Sequence, residues 1–164
     1  MDENTTQDSA RELLRHTVAT LAYRAGKALR DAPPSFAEFA VSPGSRTPAQ
    51  ILAHMGDLLD WALSMAKGAQ KWQNASVQAW EADADRFFSS LNALDEYLAG
   101  NSPLGTSAER LFQGPIADAL THTGQIAMLR RIAGAPVRGE NYARAEILRG
   151  RVGTEQTKPG FEFD

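Results

Sequence analysis

Apolar residues recur at steps of three and four along four stretches of this chain, which is the spacing of amphipathic helices. The first stretch runs from about Ser9 to Arg30 and stops before Pro33, because proline disfavours helix on its N-terminal side. The second begins with a capping box, Thr47-Pro48-Ala49-Gln50, and Gly68 suits its end. The residues predicted to face the core are Leu13, Leu14, Val18, Leu21, Ala25, Ala28 and Leu29 in the first helix and Ile51, Leu52, Met55, Leu58, Leu59, Ala62 and Leu63 in the second.

The pattern predicts a third helix over Ser76–Leu98 and a fourth that runs to about Ala133, where Gly134-Ala135-Pro136 stops it. Between them, a second capping-box pattern, Thr106-Ser107-Ala108-Glu109, opens a short helical turn. Gly114-Pro115 then interrupts the chain and restarts it as the fourth helix. The inward residues of the third helix are Val77, Trp80, Ala84, Phe87, Phe88, Leu91, Leu94 and Leu98.

The stretches between and beyond these helices are expected to be irregular. Residues 31–46 form a connection long enough to cross the end of a helical bundle, and Phe36 and Phe39 are placed to pack under it. Residues 1–7 are expected to be a frayed leader. Residues 137–164 are expected to hold one short helix around Tyr142–Leu148 and an irregular tail, without a strand pattern.

Four amphipathic helices with a long first crossover predict an all-α fold, an antiparallel four-helix bundle. The length of 164 residues fits one domain over residues 1–164. A net charge of −3 argues against a nucleic-acid partner, and no apolar window is long enough to span a membrane. The acidic N-terminus does not resemble a secretory signal, so a soluble, cytoplasmic protein is expected.

The absence of cysteine excludes disulfides, thiolate zinc sites and a cysteine nucleophile, so any metal ligands must be His, Asp or Glu. Dinucleotide, phosphate-loop and HExxH motifs are also absent. His54 lies on the apolar stripe of the second helix, and Asp118 and His122 are four residues apart on the fourth. Two histidines and one carboxylate from two helices could hold a divalent metal and leave positions open for water or substrate.

A plainer interpretation of these residues stands beside the metal site. A histidine on an apolar stripe is more often a hydrogen-bonded core residue than a ligand. Asp118 lies one turn after Pro115, where the helix dipole favours negative charge without any ligand.

Two segments, ILAHMGDLLDW (51–61) and LTHTGQIAMLRRIAG (120–134), resemble the DinB/YfiT-like family of metal-binding four-helix bundles. That family places one histidine in the second helix and a pair four residues apart in the last core helix, typically as H-x-x-x-H-x-G-Q. His54 matches the first position, and His122 with the following Gly124-Gln125 matches the third. The middle ligand is usually histidine, whereas this chain has Asp118, which either alters the metal preference or marks a decayed site.

The resemblance implies a homodimer and a metal-dependent enzyme, most directly a thiol S-transferase that adds a low-molecular-weight thiol to a small electrophile. A hydrolase would use the same open metal position to activate water. Zinc or nickel is the expected ion, with iron or manganese as alternatives. The alternative function is a non-catalytic dimeric helical bundle with a vestigial metal site. No individual catalytic residue is assigned beyond the three ligands.

Other residues around these ligands have two interpretations each. Gln125 could hydrogen-bond a metal-bound water or close a polar pocket, and Asp57 could orient the His54 imidazole or lie on a solvated face. Trp61 and Trp80 either wall a pocket or belong to the core. His16 is expected to be exposed and is excluded as a ligand.

The segment from residue 130 to residue 151 carries six arginines against two glutamates, a net charge of +4 in an otherwise acidic chain. Arg130 and Arg131 end the fourth helix, where positive charge is favoured. The alternative is a rim that binds the carboxylate of a cosubstrate.

Overall fold

Four long helices and one short one make up most of the described chain. The computed structural model describes the backbone of residues 3–163 and the side chains of residues 9–163. The helices are α1 (Glu3–Leu29), α2 (Pro48–Ala66), α3 (Trp80–Ala99), α4 (Ala108–Leu111) and α5 (Ala117–Ile132). A 3₁₀ turn at Pro34–Phe36, a π turn at Phe112–Ile116 and two short strands, β1 (Gly139–Glu140) and β2 (Glu162–Phe163), complete the elements.

The long helices share one core. Both α1 and α2 pack against α3 and against α5, so each long helix contacts at least two others. Leu21, Leu59, Phe87, Leu91 and Ile126 are fully buried where these helices meet. The prediction of an all-α chain with little strand is confirmed.

The start of α2 forms as its capping box predicts. The Gln50 amide donates to the Thr47 hydroxyl at 3.3 Å, and the Thr47 amide donates to Oε1 of Gln50 at 3.0 Å. The helix ends before Gly68, whose φ of 74° favours glycine. A Cβ on Gly105 would lie 2.2 Å from the backbone of Gly68, so this contact also requires glycine. The two glycines therefore let the loop before α4 pack directly against the end of α2.

The predicted interruption at Gly114-Pro115 is wrong. The chain continues from α4 through the π turn into α5, because the turn is one residue wider than an α-turn and accommodates the ring of Pro115. The amide of Ala117 donates to the carbonyl of Phe112, five residues earlier. The cap of α4 is also displaced by one residue, since Ser107, and not Thr106, accepts the Arg110 amide.

The first and third helices begin at other residues than predicted. Helix α1 begins at Glu3, so residues 3–7 of the expected frayed leader are helical, and residues 1 and 2 lie outside the described residues. No proline or glycine precedes Gly26 to stop this helix. Leu13 is 68% exposed because its neighbour Leu14 takes the inward position.

Helix α3 begins at Trp80 instead of Ser76, and Val77, which was predicted to be buried, is exposed. Two carboxylates hold the preceding segment outside the helix. Asp57 accepts the Ala75 amide at 3.2 Å, and Asp83 accepts the Gln78 amide at 2.9 Å. These bonds satisfy backbone donors that helical pairing would otherwise use.

The C-terminal segment is bound to α1 through Glu140. The predicted helix at Tyr142–Leu148 does not form, because this stretch makes only isolated turn hydrogen bonds. Strands β1 and β2 pair antiparallel, and the buried Glu140 carboxylate accepts from Tyr23 Oη at 2.7 Å and from Lys27 Nζ at 2.9 Å. Lys27 also pairs with Glu162 at 2.7 Å. Among the described residues, none of the helices is both long enough and apolar enough to cross a bilayer.

Candidate metal centre

Helices α2 and α5 bring His54, Asp118 and His122 together, as their positions on the two helical stripes predicted. One ligand atom from each residue lies within 4.8 Å of the other two. The His122 side chain is 10% exposed, that of His54 is 22% exposed and that of Asp118 is 48% exposed. The two imidazoles are therefore fixed by the packing of the helices, and the carboxylate lies at the solvent edge.

The distances between these atoms suit a common cation. Nε2 of His54 lies 3.7 Å from Oδ2 of Asp118, and Nε2 of His122 lies 3.5 Å from Oδ1 of the same carboxylate. Two ligands bonded at about 2.0 Å to a tetrahedral ion are about 3.3 Å apart, so both imidazole–carboxylate separations lie within a few tenths of an ångström of that spacing. Two nitrogen donors and one anionic oxygen form a donor set typical of zinc or another divalent transition metal. The group could hold a metal ion.

Gln125 positions the His122 ring. The Nδ1 atom of His122 donates to Oε1 of Gln125 at 2.8 Å. This bond places the proton on Nδ1 and leaves the lone pair of Nε2 on the side of Asp118. The glutamine thus contacts the imidazole directly, a role that neither sequence interpretation had named.

His54 is held in its neutral form. Burial lowers the pKa of this imidazole, and the neighbouring His122 ring and the positive charge of Arg46 lower it further, although Asp118 and Asp57 oppose the shift. Because a metal ligand must be a neutral imidazole, the lowered pKa favours the ligand form at neutral pH. Arg46 is exposed, immediately precedes the cap of α2 and was not among the predicted site residues.

Trp72 lies against His54 and was also missed. Its ring packs edge-to-face with that of His54, with centroids 5.7 Å apart, and with that of Trp61, at 5.6 Å. Hydrogen bonds before and after Trp72 hold the loop that carries this residue. The Lys71 amide donates to the Ser64 hydroxyl at 3.0 Å, and a few residues later Asp57 binds the Ala75 amide. The irregular sequence around Trp72 has no periodicity that could have placed it.

Asp57 does not orient His54, and it does not lie on a solvated face. It is buried, and its carboxylate accepts from Arg86 Nη2 at 2.5 Å and from the Ala75 amide. Gly56 makes this pairing possible, since a Cβ there would lie within 2.6–2.8 Å of the Arg86 guanidinium. Burial raises the pKa of Asp57, although the Ala75 and Arg86 bonds offset part of the effect. Asp57 therefore fastens α2 to α3 and to the Trp72 loop.

The arginines of the C-terminal segment serve the fold where their contacts are defined. Arg130 is buried and donates to the carbonyls of Ala28, Arg30 and Asp31 at the end of α1 and to that of Ala135. Arg144 lies over the ring of Phe161. Arg130 thus lies in the last turn of α5, as predicted, and serves the structure by binding carbonyl groups. Neither Arg130 nor Arg144 contacts a residue of the metal centre in these interactions.

The remaining candidate residues separate into those near the centre and those away from it. Trp61 lines a cavity beside Asp118, whereas Trp80 packs on Phe36 and lines a different cavity. His16 is exposed, as predicted.

Compared with protein-family models, curated proteins and solved structures, the chain matches none of them.

Proposed function

We propose that this chain is a four-helix bundle of the DinB/YfiT-like type that binds one divalent transition metal ion through His54, Asp118 and His122. Zinc or nickel suits the donor set best, and iron or manganese also accept it. The observation that carries the proposal is the convergence of two nitrogens and one carboxylate oxygen within 4.8 Å, from two separate helices. The hydrogen bond from His122 to Gln125 adds the support that metal-bound histidines usually have.

The activity we propose is transfer of a low-molecular-weight thiol to a small electrophile, or hydrolysis at the same centre. A divalent ion with open positions lowers the pKa of a thiol or a water molecule and so provides a nucleophile at neutral pH. His54 and His122 would hold the ion as neutral imidazoles, Asp118 would neutralise part of its positive charge, and Gln125 fixes the His122 ring. The nucleophilic sulfur comes from the cosubstrate, since the chain has no cysteine.

Metal analysis of protein purified without a histidine tag tests the binding part of this proposal. We expect about one ion per chain in metal-replete protein and its loss in His54→Ala and His122→Ala. His16→Ala is the matched control, because His16 is the third histidine and lies exposed on α1. Metal-free protein under replete conditions, or equal loss in the control, would overturn the proposal and favour the non-catalytic binding protein.

The reaction is tested next on the metal-loaded protein. We expect conjugation of a generic electrophile such as monochlorobimane to depend on both the thiol and the ion. Turnover that needs the ion but not the thiol assigns the hydrolase instead. No turnover of either kind in protein that holds the ion would contradict the enzymatic proposal.

A further inference from the structure

A cavity of about 380 Å³ lies directly beside the candidate metal centre. Its wall is formed by Trp61 from α2 and by Gln113, Gly114, Ala117, Asp118 and Thr121 from the π turn and α5. Asp118 belongs both to this wall and to the trio of ligand atoms. A small molecule in the cavity would therefore lie next to an ion held by the trio.

The local sequence keeps this space open. The π turn is wider than an α-helical turn and places Gly114 opposite Trp61. A Cβ on Gly114 would lie 3.9 Å from Cη2 and Cζ3 of Trp61, so the benzene edge of the indole forms the facing wall. Trp72 packs edge-to-face on Trp61 and supports the indole from another side. A larger residue at position 114 would fill the gap between α5 and this indole.

The wall also has a defined chemical character. Asp118 alone among the six lining residues carries a charge, and it is negative, which disfavours an anionic occupant. The hydroxyl of Thr121 already donates to the carbonyl of Ala117 at 3.0 Å. What remains is the hydrocarbon edge of an indole, two small residues and the uncharged side chain of Gln113, a lining that suits a flat, uncharged group.

We propose that this cavity binds a planar, uncharged aromatic or conjugated group of the substrate, packed against Trp61, while the reacting end of the substrate lies beside Asp118. The substrate class is thus a small aromatic or conjugated electrophile. The placement of the reacting end rests on the proposed metal-dependent function. The ring subsite itself depends only on Trp61 and Gly114.

Two hydroxamates that share a metal-binding head and differ in the ring provide the first test. Zinc-loaded protein should bind benzohydroxamate about tenfold more tightly than acetohydroxamate, because the phenyl group packs on the indole. Gly114→Leu should remove this preference and leave zinc affinity unchanged. Gly124→Leu on α5 is the matched control, since a Cβ there meets nothing within 4 Å beyond its chain neighbours and its own helix backbone. Trp61→Leu, which keeps the site apolar, replaces Gly114→Leu if that variant does not fold.

Metal-free protein provides an independent second test. Saturation-transfer NMR should detect contact between the protein and the ring of benzohydroxamate in wild type and Gly124→Leu, and not in Gly114→Leu. If no variant binds zinc but this pattern of contacts appears, the metal-dependent function fails and the ring subsite stands. A benzohydroxamate preference that persists in both Gly114→Leu and Trp61→Leu, or no ring contact with wild type in either metal state, would overturn the subsite.

Discussion

Gln125 accepts a hydrogen bond from Nδ1 of His122 at 2.8 Å, and this one contact decides which nitrogen of the ring is available as a ligand. With the proton on Nδ1, the free lone pair belongs to Nε2, the atom that lies 3.5 Å from Asp118. The glutamine is three residues after the histidine and therefore on the same face of α5. The helix thus supplies two of the three candidate ligands and the group that orients one of them.

Removal of the Gln125 acceptor should weaken metal binding without removing a ligand. Gln125→Ala is expected to lower zinc affinity about tenfold, because the His122 ring loses its tautomeric and rotational restraint. Gln125→Glu, which keeps an acceptor at this position, should bind as tightly as wild type or more tightly. Competition with a chromophoric chelator measures both affinities. Equal affinity in wild type and Gln125→Ala would show that the hydrogen bond does not serve the metal.

Substitutions of Asp118 separate a ligand from a residue that only complements the helix dipole. Asp118→Ala should lose more affinity than Gln125→Ala, that is, more than about tenfold, because it removes a bond to the ion itself. Asp118→His should retain or tighten binding of zinc and nickel, since imidazole is a good ligand for both. Asp85→Ala, at an exposed acid on α3, is the control. Isothermal titration with zinc and with nickel gives these affinities. Unchanged binding in Asp118→Ala would show that Asp118 only complements the dipole of α5 and is not a ligand.

Trp72 should report metal binding through its fluorescence. Its ring is 5.7 Å from that of His54, so a bound Ni²⁺ or Cu²⁺ ion would quench its emission at short range. We expect stoichiometric quenching in wild type and a smaller quenching in Trp72→Phe, where the remainder comes from Trp61 beside Asp118. Trp80→Phe is the control, because Trp80 packs on Phe36 instead. Quenching that survives in Trp72→Phe but disappears in Trp80→Phe would place the ion elsewhere.

The cluster around Glu140 should make the fold sensitive to high pH. Burial and the hydrogen bond to Glu140 raise the pKa of Tyr23. The pKa of Lys27 is also raised, since its bonds to Glu162 and Glu140 outweigh the opposing effect of burial. Both groups keep their protons longer in the folded state, so their contribution is complete below about pH 10 and is lost as the pH rises beyond it.

Denaturant unfolding between pH 8 and pH 11 measures this dependence. The free energy of unfolding should fall above about pH 10, and Tyr23→Phe should reduce the slope because one of the two titrating groups is gone. Tyr97→Phe, outside the cluster, should keep the wild-type slope. A profile that stays flat to pH 11 would contradict the assignment of these two groups.

Helical periodicity indicated that His54 and His122 face inward and that Asp118 shares a face with His122, and the family resemblance joined the three residues in one site. The wrong predictions arise where periodicity leaves a choice open or a partner lies on another helix. Leu13 and Leu14 are adjacent, and only one of them can face the core. Asp57 follows His54 by three residues, but its partner Arg86 comes from α3, and the sequence contains no signal for that pairing.

The features that could not be predicted from the sequence lie where the backbone is irregular or where the contacting residues are far apart in the chain. Trp72 reaches His54 from a loop that Asp57 and Ser64 anchor, and no repeating pattern marks such a loop. The proline at 115 predicted a break, yet a π turn absorbs it and so creates the cavity opposite Trp61. Tertiary contacts, and not local propensity, decide these features.

Anomalous X-ray scattering at the zinc edge, from crystals of tag-free protein grown with one equivalent of zinc, tests the central claim most directly. We predict one strong peak between α2 and α5, about 2.0–2.1 Å from Nε2 of His54 and of His122 and in bonding contact with the Asp118 carboxylate. No peak at this position, or a peak bound by other residues while these three side chains remain unligated, would contradict the metal centre.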